Sequence, residues 1–253
     1  MKNMNKKIIL VTNDDGLYAP GLWELVRVAK KLGNVMVIAP DREMSGAGHS
    51  LTLREVIRIR QVDECSYAVE GSPCDCVNMA LWHLLKRKPD LVLSGINNGW
   101  NIGEDALYSG TIAAAMEGAI HFIPAIAVSC QNGKNAQFRK AADIAFSIAQ
   151  LVLSNSLPKR TFISINVPSG RIKGIKITSL GTRKHKNIVI EKTDPRGESY
   201  YWLARAEPEY QPDEISDINV LKANYVSITP LKVDMTDYDA LKIMAQWNLE
   251  KIK

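Results

Sequence analysis

The stretch Ile8-Ile9-Leu10-Val11-Thr12-Asn13-Asp14-Asp15-Gly16 is a short apolar run that ends in two adjacent carboxylates and a glycine. A continuous apolar run of this length predicts a strand buried on both faces, as in a parallel sheet. Asp14 and Asp15 would then lie at a sheet edge, where carboxylates are costly unless a positive charge meets them. A divalent cation would supply that charge. The alternative is that residues 13–16 form only a turn, because Asn, Asp and Gly are the usual turn residues.

A helix and a second buried strand follow the first one. Apolar residues recur at helical spacing over 21–32, with Gly33 as the predicted C-cap, and residues 35–39 are again continuous and apolar. A strand–helix–strand unit of this kind predicts a right-handed crossover and a doubly wound sheet. Ligands bind beyond the carboxyl ends of the strands in such sheets, and Asp14 and Asp15 lie there.

The rest of the chain extends this α/β pattern and then changes. Further strands are predicted over 56–59, 67–69, 91–94, 125–128, 162–167 and 225–231, and helices over 74–85, 112–120, 138–153 and 237–249. From residue 170 onward, short β-like runs (175–178, 188–191, 200–204) alternate with charged and Pro/Gly segments, which indicates a helix-poor, extended β-hairpin arm. We expect a mainly parallel sheet in a core of residues 1–170, followed by a C-terminal region, 171–253, with the arm, a final strand and a terminal helix. The aromatic residues 200–202 suit either packing on their own domain or pairing with another subunit.

Polar residues also follow the second and third predicted core strands. Ser45 and Gly46 lie in the loop after residues 35–39, and Asn97 lies in a Gly- and Asn-rich stretch after residues 91–94. Because the carboxyl ends of parallel strands meet at one edge, we expect these residues to lie near Asp14 and Asp15. Carboxylate, hydroxyl and amide oxygens form a hard donor set, which suits magnesium or manganese rather than zinc or copper.

Ser109, Gly110 and Thr111 stand where the helix predicted over 112–120 needs an N-cap. Amides and hydroxyls at a helix start can face an anion, although any Ser/Thr helix start offers this much. Together with the metal ligands, the cluster favours a phosphate that bridges cation and protein. Such a site suits hydrolysis of a phosphate ester, in which the metal lowers the pKa of a bound water.

Composition argues against several other classes of protein. The net charge of +5 is mild, and the densest basic run, 183–186, is too short to indicate nucleic-acid binding. No apolar run approaches a signal-peptide core or a membrane span, and four cysteines suit a reducing compartment, so we expect a cytoplasmic protein. The histidines are scattered, and Cys74 and Cys76 lack a second pair at zinc spacing, which argues against a zinc hydrolase.

Five blocks in order along the chain resemble the signature blocks of the SurE family, the stationary-phase survival proteins that are metal-dependent nucleotidases. The blocks are 11–16, 39–50, 94–111, 194–202 and 226–231. The resemblance implies a Rossmann-like core and one Mg²⁺ or Mn²⁺ per subunit, held by Asp14, Asp15, Ser45 and Asn97. It implies that a metal-activated water releases phosphate from nucleoside 5′- and 3′-monophosphates, and that some members trim short polyphosphate. It also implies homodimers or homotetramers built partly through the C-terminal arm.

Specific roles follow from this resemblance and from the clusters. We expect Asp14 and Asp15 to carry the catalysis. The expected phosphate-binding residues are Asn13, Gly46, Asn97, Ser109, Gly110 and Thr111. Asn224 stands where the family has a glycine before its last block, and Asn tolerates the left-handed conformation that a glycine would adopt.

Two other functions stay open on the same fold. The first is a nucleotide- or sugar-phosphate-binding module without hydrolytic chemistry, which turnover of AMP or GMP would distinguish from an enzyme. The second is a nicotinamide-dependent oxidoreductase, against which the missing third glycine after Gly46 and Gly48 argues. The general base is also open: Asp14 or Asp15 could accept the proton, and Asp41 and His49 are expected to fix the loop.

Overall fold

A computed structural model of the protein describes residues 6–131, 133, 137–155, 157–184, 187–205, 209–210, 215–247 and 249. The strands are β1 (Ile8–Thr12), β2 (Asn34–Pro40), β3 (Ile59–Asp63), β4 (Ser66–Val69), β5 (Leu91–Asn98), β6 (Ala125–Cys130), β7 (Thr161–Val167), β8 (Ile175–Ile177), β9 (Arg183–Lys184), β10 (Asn187–Thr193), β11 (Ser199–Arg205), β12 (Glu209–Tyr210) and β13 (Val226–Lys232). The helices are α1 (Pro20–Ala29), α2 (Pro73–Met79), α3 (Gly110–Ile120), α4 (Phe138–Ser154), α5 (Asp217–Lys222) and α6 (Tyr238–Met244).

Within the described residues, nine strands form the central sheet in the order β3-β4-β2-β1-β5-β6-β7-β13-β8. Strand β1 lies inside this sheet and pairs in parallel with both β2 and β5. The pairs β5–β6 and β6–β7 are also parallel, whereas β3–β4 and β7–β13 are antiparallel. This confirms the prediction of a doubly wound, mainly parallel α/β sheet.

Helices cover both faces of the sheet, which explains why β1 is apolar without alternation. Ile9 and Val11 pack in a cluster with α1 and α4, whereas Leu10 packs in another cluster with α2 and α3. A strand that is buried on both faces has no solvent side for polar residues. The carboxyl ends of β1, β2 and β5 therefore lie together at one edge, between the two helical layers.

Close backbone contacts hold this edge in place. A Cβ on Gly21, near the start of α1, would lie 2.1 Å from the carbonyl oxygen of Ile96 in β5, so only glycine allows α1 to approach that strand. Strand β5 also has a bulge, because its register against β6 shifts between Gly95 and Asn97. Bulges re-aim side chains near the ends of strands, and this one precedes the polar stretch 97–105.

Several sequence-based predictions need correction. The strand predicted at 56–59 is β3, which begins at Ile59 and runs along the sheet edge, where most of its side chains are exposed and hydrophobicity does not mark its limits. The helix predicted over 74–85 is α2 followed by a π-helical turn, Ala80–Leu84. Helix α1 ends at Ala29, and Gly33 is not its cap: a Cβ on Gly33 would lie 2.2 Å from the carbonyl oxygen of Lys7.

The C-terminal region contributes more to the sheet than its sequence pattern indicates. The run assigned to the arm at 175–178 is instead β8, which pairs with β13 at the edge of the central sheet. Helix α5, capped by Ser216, was not predicted, because six residues are too few for a clear helical repeat. Asn224 has φ +63°, which confirms that it adopts the left-handed conformation. The division at residue 170 stays a prediction.

The predicted arm is the antiparallel hairpin of β10 and β11. Asp194 and Gly197 form its turn, in which the Gly197 N–H donates to the Asp194 carbonyl oxygen over 3.0 Å. Helix α6 begins after Asp237 and ends at Met244, earlier than the predicted residue 249, and it buries none of its residues. In the part of the chain that the structure describes, no helix has the length and apolarity needed to cross a membrane.

Candidate metal centre

The turn after β1 fixes the direction of the two adjacent carboxylates. Thr12, Asn13 and Asp14 are buried, and the Asn13 side-chain amide donates to the Gly16 carbonyl oxygen over 2.9 Å. Gly16 has φ +94°, a conformation that favours glycine. The backbone N–H of Met44 donates to the Asp14 carbonyl oxygen over 2.8 Å, so the loop after β2 is tied to this turn. Residues 13–16 form a turn, and that turn presents the carboxylates.

The carboxylate of Asp14 lies against the start of α3. The Thr111 hydroxyl donates to Asp14 Oδ1 over 2.5 Å, and both side chains are buried. A Cβ on Gly110 would lie 2.8 Å from the Asp14 Cβ, so a glycine is needed at this close approach. Burial raises the pKa of Asp14, and the hydroxyl of Thr111 and the backbone N–H groups of Gly110 and Thr111 oppose that rise. The anion at the start of α3 is therefore a carboxylate of the protein itself.

Asp15 is half-buried beside Asp14. Its Oδ2 accepts a hydrogen bond of 3.3 Å from the backbone N–H of Asn98, the last residue of β5. Burial, followed by the charges of Asp14 and Glu43, raises the pKa of Asp15 to about 6. Among the ion pairs of the described residues, none involves Asp14 or Asp15.

A cavity of about 460 Å³ opens in front of Asp15. Its lining residues are Asp15, Ala19, Pro20, Gly21, Glu43, Ser45, Asn97, Asn98 and Phe138. The Ser45 hydroxyl donates to Glu43 Oε1 over 2.7 Å, and the Asn97 side-chain N–H donates to the Gly99 carbonyl oxygen over 2.8 Å. The structure thus brings Asp15, Ser45 and Asn97 to one cavity, with Asp14 adjacent along the chain.

The other predicted site residues lie at different places around this centre. Ser109 is buried, and its hydroxyl accepts the N–H of Ile112 over 3.1 Å as the N-cap of α3. The side-chain N–H of Asn13 is engaged in the turn, whereas its buried Oδ1 has no hydrogen-bond partner among the described residues. Gly46 is exposed next to Ser45, with φ +77° and no atom within 4 Å of a Cβ built on it.

The residues at this centre suit a divalent cation. Their donors are carboxylate, hydroxyl and amide oxygens, the ligands that Mg²⁺ and Mn²⁺ prefer. Two adjacent carboxylates with raised pKa values, and Glu43 close to them, create an uncompensated negative potential that a cation would neutralise. The ligand set Asp14, Asp15, Ser45 and Asn97 stays a prediction.

A further cavity of about 330 Å³ lies at the opposite edge of the sheet, around Lys7 and Asp90. The Asp90 carboxylate there accepts the N–H of Ile8 over 2.8 Å and forms an ion pair of 3.0 Å with Arg87. This carboxylate is engaged in holding the start of β1.

Sequence reasoning missed a cluster on the α2–α3 face of the sheet. An imidazole nitrogen of His49, Cys74 Sγ and a Glu117 carboxylate oxygen lie within 4.8 Å of one another. The residues come from the loop after β2, from α2 and from α3, so no local spacing indicates that they meet. The i, i+4 relation of Glu117 and His121, whose side chains lie 3.2 Å apart, was the one local signal.

The comparisons with known proteins agree with this architecture. A family model described as "Survival protein SurE" matches residues 9–187. The 5′-nucleotidase SurE of Syntrophotalea carbinolica is 43% identical over 96% of this chain and 98% of its own length. That of Pelobacter propionicus is 46% identical over 94% and 98%. The crystal structure of the SurE protein from Aquifex aeolicus matches with a TM-score of 0.84 and 43% identity, over 94% of this chain and 98% of that one. This chain belongs to the SurE family.

Proposed function

We propose that the protein is a metal-dependent 5′-nucleotidase, which hydrolyses nucleoside 5′-monophosphates, and 3′-monophosphates, to nucleoside and phosphate. The name "5′-nucleotidase SurE" of its full-length relatives supports this activity. The observation that carries the proposal is the pair Asp14 and Asp15, which meets the start of α3 on one side and an open cavity on the other. Carboxylates in this position can bind a cation, and the cation and the helix N-terminus can then bind a phosphate in the neighbouring cavity.

One divalent cation, Mg²⁺ or Mn²⁺, would be held by Asp14, Asp15, Ser45 and Asn97. When bound, such a cation supplies positive charge to the phosphoryl oxygens and lowers the pKa of a water molecule. Ser45 and Asn97 line the cavity with Asp15 and offer neutral oxygens, so the two carboxylates balance the charge of the cation and the other two ligands add no negative charge that would repel the phosphate. This charge balance is typical of a site that shares a cation with its substrate.

The two carboxylates have different surroundings, and we assign them different roles. The Asp14 carboxylate is buried and fixed by the Thr111 hydroxyl, so it holds its position during the reaction. The Asp15 carboxylate is half-buried and lines the cavity, where a water molecule and a phosphate ester have room. A general base must reach the proton that it takes. Asp15 is therefore the better placed proton acceptor.

We assign phosphate binding to the side-chain amide of Asn97 and to the loop and helix start around the cavity. Gly46 presents its backbone beside Ser45. The N–H groups of Gly110 and Thr111 at the start of α3 face the Asp14 carboxylate, so on this proposal they would act on the phosphate together with that carboxylate and its cation. Ser109 supports this helix start as its N-cap, and Asn13 supports the turn beneath it. Phe138, with Ala19 and Pro20, gives the same cavity an apolar wall for the nucleoside.

The test is phosphate release from a panel of nucleoside 5′- and 3′-monophosphates and tripolyphosphate, with Mg²⁺ or Mn²⁺ supplied. Excess chelator should abolish release, and Asp15→Asn should lower kcat by about 10²-fold or more. Asp143→Asn is the matched control, because this carboxylate lies on α4 with its side chain 58% exposed and pairs with Arg27. Undiminished turnover with chelator, or in Asp15→Asn, would contradict the proposal. Binding of AMP without turnover would support a binding module instead.

We also propose that the protein forms homodimers or homotetramers through its C-terminal arm. The two-stranded hairpin exposes large apolar side chains on both faces: Tyr200 is 44% exposed, Tyr201 62%, Trp202 63% and Leu203 74%. Helix α6 likewise leaves Leu241, Met244 and Trp247 exposed. Apolar surface of this extent is typical of an interface. Light scattering should give a multimer for the full chain and a smaller species for Trp202→Glu with Leu203→Glu.

The cytoplasm is the compartment that we propose for the protein. Its cysteines are all free thiols, which suits a reducing environment. Measuring the activity in cytoplasmic and periplasmic fractions of the source cells would test this.

A further inference from the structure

Three side chains with different donor atoms converge beside the proposed active site. His49 comes from the loop after β2, Cys74 from the first turn of α2, and Glu117 from α3. His49 Nε2 lies 2.8 Å from Glu117 Oε2, and an imidazole nitrogen of His49, the Cys74 sulfur and a carboxylate oxygen of Glu117 all lie within 4.8 Å of one another. Cys74 is fully buried, Glu117 is 4% exposed, and the His49 side chain is 33% exposed. The cluster is therefore closed on the protein side and reachable from solvent through His49.

We propose that His49, Cys74 and Glu117 form a second metal site, which takes Zn²⁺ and is distinct from the centre at Asp14 and Asp15. Imidazole nitrogen, thiolate sulfur and carboxylate oxygen are the three ligand types of protein zinc sites. The all-oxygen donors around Asp15 select harder cations such as Mg²⁺. The two sites therefore differ in the ion that each prefers.

Binding of a tetrahedral ion requires the three ligand atoms to move relative to one another by about 0.5–1.3 Å. Zn²⁺ binds sulfur at about 2.3 Å and nitrogen or oxygen at about 2.0–2.2 Å, so tetrahedral angles place a sulfur ligand about 3.5 Å from a nitrogen or oxygen ligand. Separations of up to 4.8 Å therefore need to close by up to about 1.3 Å. His49 Nε2 and Glu117 Oε2, now 2.8 Å apart, need to separate by about 0.5 Å to reach tetrahedral spacing. The exposed loop that carries His49 allows this movement.

A second layer of contacts fixes the Glu117 carboxylate from the other side. Its Oε1 accepts a hydrogen bond of 2.9 Å from the side-chain N–H of Asn78 and lies 3.2 Å from His121 Nε2. Trp82 donates to Asn78 Oδ1 over 3.2 Å and packs edge-on against His121. Hydrogen bonds of this kind orient metal-binding carboxylates and imidazoles. They leave Glu117 Oε2 directed at His49.

Zinc at this position would connect parts of the protein that meet at the proposed active site. The loop that holds His49 also holds Ser45, and the helix that holds Glu117 begins at Gly110. An ion held between loop and helix would fix the distance between them. On this proposal, the site is a structural clamp for the loop.

The experiment uses Co²⁺ as a spectroscopic substitute for Zn²⁺ on the metal-stripped full-length chain. A cobalt–thiolate bond gives a charge-transfer absorption in the near ultraviolet, which oxygen ligands do not give. We expect this band in the wild type, saturating at one equivalent, and we expect Zn²⁺ but not excess Mg²⁺ to remove it. Cys74→Ser should abolish the band, and His49→Gln should weaken cobalt binding by 10-fold or more.

Cys65→Ser is the matched control, because Cys65 is an exposed thiol outside the cluster. It should keep the full band. Absence of the band in the wild type, its survival in Cys74→Ser, or its loss in Cys65→Ser would overturn the proposal. His49→Gln replaces a partly exposed loop residue, so it still tests the site if Cys74→Ser does not fold. Because the readout is absorption and not turnover, a failure of the proposed nucleotidase activity would leave this result unaffected.

Discussion

Replacing Thr111 by valine tests how the start of α3 supports the carboxylate pair. The change keeps the shape of the side chain but removes the hydroxyl that donates to Asp14 Oδ1 over 2.5 Å in a buried setting. A hydrogen bond to a charged group contributes about 1.5–3 kcal/mol. We therefore expect Thr111→Val to lower the free energy of unfolding by about 2 kcal/mol at pH 8. For a protein of this size, that corresponds to a fall in Tm of roughly 4–8 °C.

The pH dependence separates this hydrogen bond from a packing effect. Burial already raises the pKa of Asp14, so the folded chain binds this proton more tightly than the unfolded chain does. Removing the hydroxyl raises that pKa further, because the ionised carboxylate loses a donor. The variant's extra loss of unfolding free energy is complete at pH values above the pKa of Asp14 in the folded variant. It disappears as the pH falls below the pKa of Asp14 in the folded wild type. The difference between wild type and Thr111→Val should therefore be larger at pH 8 than at pH 5.

The assay is chemical denaturation in the presence of a chelator at both pH values, with phosphate release measured separately. Thr111→Ser is the control: it keeps the hydroxyl and loses one methyl group, which costs about 1 kcal/mol at either pH. Valine should also lower phosphate release more than serine does. Equal losses for valine at pH 5 and pH 8, matched by those of serine, would refute the role assigned to the hydroxyl.

Three further changes test neighbouring features. Gly110→Ala places a Cβ 2.8 Å from the Asp14 Cβ, so it should lower stability by about 1–3 kcal/mol in thermal unfolding; an unchanged Tm would contradict the close approach. Asp217→Ala removes the carboxylate that accepts hydrogen bonds of 2.9 Å from the N–H groups of Gly103 and Gly181. Chemical denaturation should show that the free energy of unfolding is lower by about 2–4 kcal/mol. In metal-free protein, folding raises the pKa of Asp15 from 3.8 to about 6. The free energy of unfolding should therefore fall as the pH rises from about 4 to about 6. The fall should be less than about 3 kcal/mol, because the group is partly exposed. Asp15→Asn should remove that part of the fall, and added Mg²⁺ should restore stability at pH 7; equal pH profiles for wild type and variant would contradict it.

The sequence carried enough information to predict that Asp15, Ser45 and Asn97 lie close together. The unbroken apolar run of β1 indicates a strand with two buried faces, and parallel topology then brings the ends of β1, β2 and β5 to one edge. The convergence of Asp15, Ser45 and Asn97 on one cavity follows from that topology alone. These are properties of patterns within a few residues, combined with a general rule about sheets.

The contacts that distinguish the two carboxylates could not be predicted in the same way. Thr111 and Asp14 are separated by 97 residues, and nothing in either local pattern shows that the hydroxyl is directed at the carboxylate. The cluster of His49, Cys74 and Glu117 is hidden for the same reason, because each residue comes from a different element. Helix α5 was missed because its stability comes from tertiary contacts: Ile218 and Leu221 are buried against Ile102.

The arrangement at the start of α3 has a consequence for how charge is balanced in the site. The N–H groups and hydroxyl that could receive a phosphate already face the Asp14 carboxylate, and Asp15 and Glu43 add negative charge nearby. A phosphate entering the same cavity would be repelled by all three carboxylates, and the dipole of one helix, about half an elementary charge, cannot offset them. A divalent cation bound to Asp14 and Asp15 removes most of this repulsion. On our proposal, the affinity for phosphate and the affinity for the cation are therefore coupled through the turn after β1, because the same two carboxylates repel the one ligand and hold the other.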